Sequence, residues 1–208
     1  MSLSCEGERV IYAPVESLCM RAVVERTTSE TRVRVKLNLH PGEPEYSIST
    51  TLPFLDHLLG GFARHGRFGL EVLAEGDHEH HIAEDVAITL GQALTRALGD
   101  KRGIRRFGHA LVPMDDVLVL CALDISGRSW FSSTVGFRYK QVEGLSTELI
   151  PHFLESFARE AGITLHLRLL EGRNEHHKAE AAFKALGLAL SMAVERVGGG
   201  IPSTKGVL

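Results

Sequence analysis

The sequence predicts an α+β fold made of two copies of one strand-strand-strand-helix-strand-helix unit, packed helix to helix in a layered sandwich. Three observations carry this. Segments of strict alternation are followed by segments of helical spacing. That order runs twice. A fifteen-residue window, His80 to Leu94, also matches His176 to Leu190 at a constant offset of 96, with eight identical positions.

In the first copy, Leu18 to Arg26 reads as a strand. Thr31 to Leu39 alternates Val33, Val35, Leu37 and Leu39 with Arg32, Arg34, Lys36 and Asn38, the pattern of a half-buried strand. Pro41, Gly42 and Pro44 mark a turn, and Tyr46 to Thr50 is a third strand. Thr51 is a candidate cap and Pro53 suits a first helical turn, ahead of Phe54, Leu55, Leu58, Leu59 and Phe62 at helical spacing. Leu70 to Glu75 alternates again. Val86, Leu90, Ala93, Leu94 and Ala97 then form the stripe of a longer helix that Gly99 ends. In the second copy, strands are expected near 110–114, 117–125 and 130–136, and a helix carries Ile150, Phe153, Leu154, Phe157 and Ala161. A strand over 164–170 and a helix over 178–194 close it. The halves divide at 1–103 and 104–208. Helices that cover only one face of each small sheet leave apolar stripes to pack on one another.

With 44% hydrophobic and 24% charged residues, the 208-residue chain has the composition of an ordinary soluble domain. A formal net charge of -3 offers no basic surplus for a phosphate backbone, which argues against nucleic-acid binding and against an RNA-binding module. No apolar run approaches a membrane span, and no signal peptide is read at the N-terminus. Cys5, Cys19 and Cys121 are odd in number and widely spaced, so they suggest neither a disulfide framework nor a Cys-x-x-Cys site. A cytoplasmic protein is expected.

The chemistry is expected in the eleven histidines. One adjacent pair usually just meets solvent or a helix end, but here His-His-x-x-Glu occurs twice, as His80, His81 and Glu84 and as His176, His177 and Glu180. On a helix each set gathers at one end. A duplicated core has no use for these polar groups, whereas a divalent metal needs converging imidazoles and carboxylates. His57 and His152 occupy matched positions on the other helix of each half. Nitrogen and oxygen donors without sulfur suit zinc, iron, nickel or manganese alike. His40, His65, His78, His109 and His166 read as structural or solvated.

Other groups suggest an anion. Lys101-Arg102-Gly-Ile-Arg105-Arg106 is either a solvated connector or a phosphate holder. Arg128 follows a strand end, and Lys184 lies two turns beyond His176 on the same side. The terminal Gly198 to Gly206 stretch, with Ser203 and Lys205, is either a flexible tail or an anion-closing segment.

These residues resemble the imidazoleglycerol-phosphate dehydratase family. The matching stretches are Phe54-Leu55-Asp56-His57, His80-His81-x-x-Glu84-Asp85, Gly103-Ile104-x-Arg106-Phe107-Gly108, Asp124-x-Ser126-Gly127-Arg128, Thr147-Glu148-Leu149, Gly172-x-Asn174-x-His176-His177-x-x-Glu180-Ala181, Phe183-Lys184-Ala185 and Ile201-Pro202-Ser203-Thr204-Lys205-Gly206. The resemblance implies dehydration of imidazole glycerol phosphate to imidazole acetol phosphate in histidine biosynthesis. It implies two Mn2+ ions per active site and a 24-subunit assembly with sites between subunits. The eight metal ligands it implies are His57, His80, His81, Glu84, His152, His176, His177 and Glu180. Pseudo-symmetry suggests His57, His81, Glu84 and His176 for one ion, and His152, His177, Glu180 and His80 for the other. Glu84 and Glu180 thereby count among the catalytic groups. The proton removed is not beside a carbonyl, so the ring must act as an electron sink, and Lewis acids on its nitrogens favour that. Glu30, in a Thr-x-Glu-Thr stretch at Thr28 to Thr31, is the candidate proton carrier. Arg106, Arg128, Lys184, Ser203 and Lys205 are implied as phosphate ligands. The segment between Asp77 and His80 is shorter than the family's usual one. The rival readings are a non-catalytic metal-storage shell and a zinc hydrolase.

Overall fold

The computed structural model describes residues 20–40 and 45–206. Cys5, Cys19, the start of the first expected strand and the turn at Pro41, Gly42 and Pro44 lie outside the described residues. The first half runs β1 (Arg21–Thr27), β2 (Thr31–Asn38), β3 (Tyr46–Ser49), α1 (Pro53–Gly66), β4 (Gly69–Gly76) and α2 (Glu79–Leu98). The second runs β5 (Phe107–Met114), β6 (Val117–Asp124), β7 (Trp130–Ser133), a small hairpin β8 (Gln141–Val142) and β9 (Leu145–Ser146), α3 (Leu149–Ala161), β10 (Thr164–Glu171) and α4 (Glu175–Val194).

Each half forms one four-stranded sheet with the same topology, β1-β2-β4-β3 and β5-β6-β10-β7. The last strand of each order, β3 or β7, runs parallel to its neighbour, and the other pairs are antiparallel. The alternation in β2 sets the layering. Val33, Val35 and Leu37 are buried toward the helices, while Arg32, Arg34 and Lys36 face out. Each buried aliphatic side chain of this kind contributes about 1.5–3 kcal/mol.

Helices α2 and α4 lie on their own sheets, and the halves join by exchange: α2 packs on α3, and α4 on α1. Two glycines at the same place in the repeat permit this. A Cβ on Gly91 of α2 would sit 2.9 Å from the Phe157 carbonyl oxygen, and one on Gly187 of α4 2.4 Å from the Phe62 carbonyl oxygen. The backbones therefore cross closer than any side chain allows. Phe62, Phe153, Phe157 and Phe183 fill the space between the layers.

The repeat extends to the helix ends. Arg67 and Gly162 both end their helices in the left-handed region, and their N–H groups donate to Ala63 and Arg64, and to Ala158 and Arg159. At the start of α1 the capping expectation needs correction. Leu52, not Thr51, is the cap residue, and Thr51 bonds the Thr50 carbonyl. Asp56, one turn inside, instead reaches back and accepts from the Thr50 N–H at 2.9 Å and from its hydroxyl. Among the described residues, the hairpin between β7 and α3 has no counterpart in the first half. Buried Lys178 holds the segment before it, donating to the Gly136 carbonyl at 3.1 Å and to Glu175 at 3.2 Å. Among the described residues, no helix is long and apolar enough to cross a membrane.

Candidate metal centre and active site

Two groups of three ligating side chains stand where the helices of opposite halves meet. His57 of α1 joins His176 and Glu180 of α4, and His152 of α3 joins His80 and Glu84 of α2. In each group a nitrogen or oxygen from every residue lies within 4.8 Å of the others. The cross-half packing is therefore what assembles each group, since neither half carries a whole one. Glu180 lies 3.1 Å from His176 Nε2 and 3.4 Å from His57 Nε2. Glu84 lies 3.6 Å from His152 Nε2, and the His80 and His152 rings stack at 4.8 Å. Phe54 walls the first group, 5.1 Å from the His176 ring.

This grouping differs from the division suggested by pseudo-symmetry. Glu84 stays with His80 and His152, and Glu180 with His57 and His176. The reason is helical geometry: each glutamate is one turn after the first histidine of its own pair, while the second histidine is rotated by about 100°. His81 and His177 accordingly stand outside both groups. His81 Nδ1 lies 2.8 Å from Asp77 and 3.7 Å from Glu30. His177 Nδ1 lies 2.9 Å from Asp116, and its Nε2 3.4 Å from Asp115.

Glu30 projects from a turn built by its neighbours. The Thr28 hydroxyl accepts from the N–H groups of Glu30 and Thr31, and the Thr31 hydroxyl donates to buried Asp85, which also takes Arg26 Nε at 2.7 Å. The Thr-x-Glu-Thr stretch is thus a folded turn pinned to α2. The phosphate candidates are more dispersed. Lys184 donates to Glu180 at 2.8 Å. Arg106 is engaged by Asp124 through two nitrogens, at 2.7 and 3.0 Å, and donates to the Pro202 carbonyl at 2.8 Å. It thereby holds the turn that carries Ser203 and Lys205. Arg128 is exposed beyond β6. His40 Nε2 lies 3.3 Å from the Val194 carbonyl oxygen, and His78 is the cap residue of α2, its ring 5.6 Å from that of His81.

The electrostatics follow these contacts. Burial pushes the Glu180 carboxyl up, but hydrogen bonds from Lys184 and His57 outweigh it and leave the group below its ordinary value. The hydrogen bond to Asp77 raises His81, and the same bond lowers Asp77. Asp116 is held far below the usual carboxylate range by the Arg173 N–H, His177 and the Asn174 N–H. Burial raises the Cys121 thiol, an inert core group.

The donor sets fit a divalent metal. His152 Nε2 is buried with no hydrogen-bond partner although a carboxylate stands beside it, and two imidazoles with one carboxylate are donors such ions accept. Sequence reasoning missed Asp77, Asp115 and Asp116. The signal was present for Asp116, which precedes β6 just as Glu30 precedes β2, at an offset of 86.

The imidazoleglycerol-phosphate dehydratase family model matches residues 50–190. The imidazoleglycerol-phosphate dehydratase of Roseiflexus sp. (strain RS-1) is 52% identical over 193 residues, covering 90% of this chain and 96% of that protein. That of Methanopyrus kandleri is also 52% identical, over 194 residues, with the same coverage. Among solved structures, the Pyrococcus furiosus enzyme superposes with a TM-score of 0.79 at 39% identity, covering 89% of this chain and all of that one. The Staphylococcus aureus enzyme gives 0.77 at 32%, covering 85% and 99%. Sequence, topology and the paired histidines agree, and the chain belongs to the imidazoleglycerol-phosphate dehydratases, hydro-lyases of histidine biosynthesis.

Proposed function

We propose that the chain dehydrates imidazole glycerol phosphate to imidazole acetol phosphate with two divalent cations, Mn2+ first among them, at a site completed by neighbouring subunits in the cytoplasm. The observation that carries this is the pair of His-His-Glu groups, each drawn from both halves. His57, His176 and Glu180 would hold one cation, and His80, His152 and Glu84 the other. When bound, the cations supply Lewis acidity to the substrate's imidazole ring, the electron sink that a weak carbon acid requires.

The chain's own residues supply the remainder. Glu30 takes the proton from the carbinol carbon next to the phosphate-bearing carbon, and the hydroxyl on the ring-attached carbon leaves and picks up that proton as water. The resulting enol moves its own hydroxyl proton to the ring-attached carbon to become the ketone. The exposed Glu30 carboxylate on a pinned turn suits that role, worth about 10²–10⁴ in rate. Phe54 offers a flat wall for a planar ring. Lys184 and Arg128, with Ser203 and Lys205 on the turn tethered by Arg106, bind the phosphate. A 24-subunit assembly with sites between subunits accounts for His81 and His177, ligands in waiting that the three-residue groups of their own chain do not use. Self-association is further supported by Phe107, Leu111 and Trp130, exposed on the outer face of the second sheet. Half-domains 1–103 and 104–208 then act as one unit, because each cation needs both.

The test is steady-state turnover of imidazole glycerol phosphate by the purified chain after chelation and after Mn2+ return. Activity should vanish and recover, and Glu30→Gln should reduce kcat by at least 10²-fold with Mn2+ still bound. Binding of Mn2+ without turnover would overturn the reading in favour of a metal-storage shell.

A further inference from the structure

We propose that Asp77 and Asp116 are positioning residues that fix the second histidine of each pair, His81 and His177, with Nδ1 occupied and Nε2 left as the ligating nitrogen. The inference rests on the metal reading above. A neutral imidazole has one lone pair, and the hydrogen bond at one nitrogen decides which nitrogen offers it. His81 Nδ1 meets Asp77 at 2.8 Å and His177 Nδ1 meets Asp116 at 2.9 Å, whereas exposed Asp115 stands 3.4 Å from His177 Nε2, with no hydrogen bond formed.

The two acids reach the same atom by different routes. Asp77 lies four residues before His81, in the shortened segment ahead of α2, and its counterpart in the repeat is Arg173. Asp116 comes instead from the turn before β6, the place that Glu30 holds in the first half. Asp116 is itself fixed by the N–H groups of Arg173 and Asn174, at 2.7 and 3.1 Å. Two unrelated sequence positions thus arrive at one geometry, as a demand on the Nδ1 nitrogen requires and mere helix-end electrostatics does not. The substitution also separates two duties. In the second half the acid before the strand orients the histidine. In the first half Asp77 does so, and Glu30, 3.7 Å from the same nitrogen and half exposed, is left for proton transfer.

The experiment measures Mn2+ stoichiometry and Kd by chelator competition on the full chain, together with the urea midpoint of the chelated protein. Asp77→Ala and Asp116→Asn should each raise Kd about 10–100-fold. Asp77→Glu should recover most of the loss, and the urea midpoint of the chelated Asp77→Ala chain should match the parent's. Glu30→Gln should keep Kd within about twofold while turnover falls. Asp77→Ala and Asp116→Asn binding within twofold of the parent would overturn the positioning role alone, as would loss in Asp77→Ala that Asp77→Glu fails to restore. A parent chain that binds no Mn2+ would instead overturn the metal reading, and the positioning role with it.

Discussion

Asp85 shows how much of the candidate site in the first half hangs on one buried carboxylate. It ties Arg26 of β1 and Thr31 of β2 to α2, and with them the turn that presents Glu30. Its counterpart in the second copy is Ala181, so the anchor is peculiar to the half that carries the proton-transfer candidate. Asp85→Asn removes a charge-assisted pair and should cost about 1.5–3 kcal/mol in a urea melt. In kinetics it should lower kcat more than it raises KM, because the turn moves and the phosphate contacts do not. Asp116 gives a pH prediction. Its native carboxyl ionises well below the unfolded value of 3.8, so the native state holds fewer protons in acid. The stabilisation is fully present above that value and is lost as the pH falls below about 4. In the chelated protein, Asp116→Asn should flatten the decline of the urea midpoint between about pH 4 and pH 2.

At the level of helices, the duplicated Gly91 and Gly187 decide how closely the halves approach. Gly187→Ala would drive a methyl group into the Phe62 carbonyl, so α1 and α4 must part. Overpacking of this kind costs about 1–3 kcal/mol. It should also weaken cation binding at His57, His176 and Glu180 more than at His80, His152 and Glu84, and Gly91→Ala should invert that order. Calorimetric Mn2+ titration resolves the two sites. The helices themselves were legible, because the apolar stripes and His-His-x-x-Glu both survive duplication. Their cross-half pairing was only implied by the need to bury two stripes. The exchange of glutamates between expected ligand sets was not legible, since linear matching counts positions and ignores the 100° between His80 and His81. Asp116 escaped for a related reason: the histidine helices repeat at an offset of 96 but β2 and β6 at 86, and the hairpin absorbs the difference.

For the molecule as a whole, each candidate cation group spans both halves, so metal binding as proposed would be linked to folding. Mn2+ at a hundred times its Kd should stabilise the chain by about 2.7 kcal/mol per site. Thermal melts should show one cooperative transition that rises with Mn2+ and falls on chelation. His152→Ala should forfeit the share of that rise due to the second site while changing the chelated melt far less, because its buried Nε2 has no hydrogen-bond partner to lose. The crossed ownership of ligands has a further consequence. A solitary half-length polypeptide could finish such a cluster only by colliding with another, at a rate that dilution suppresses. Joining the two in tandem makes the meeting intramolecular, at an effective millimolar concentration that no change in expression level can erode.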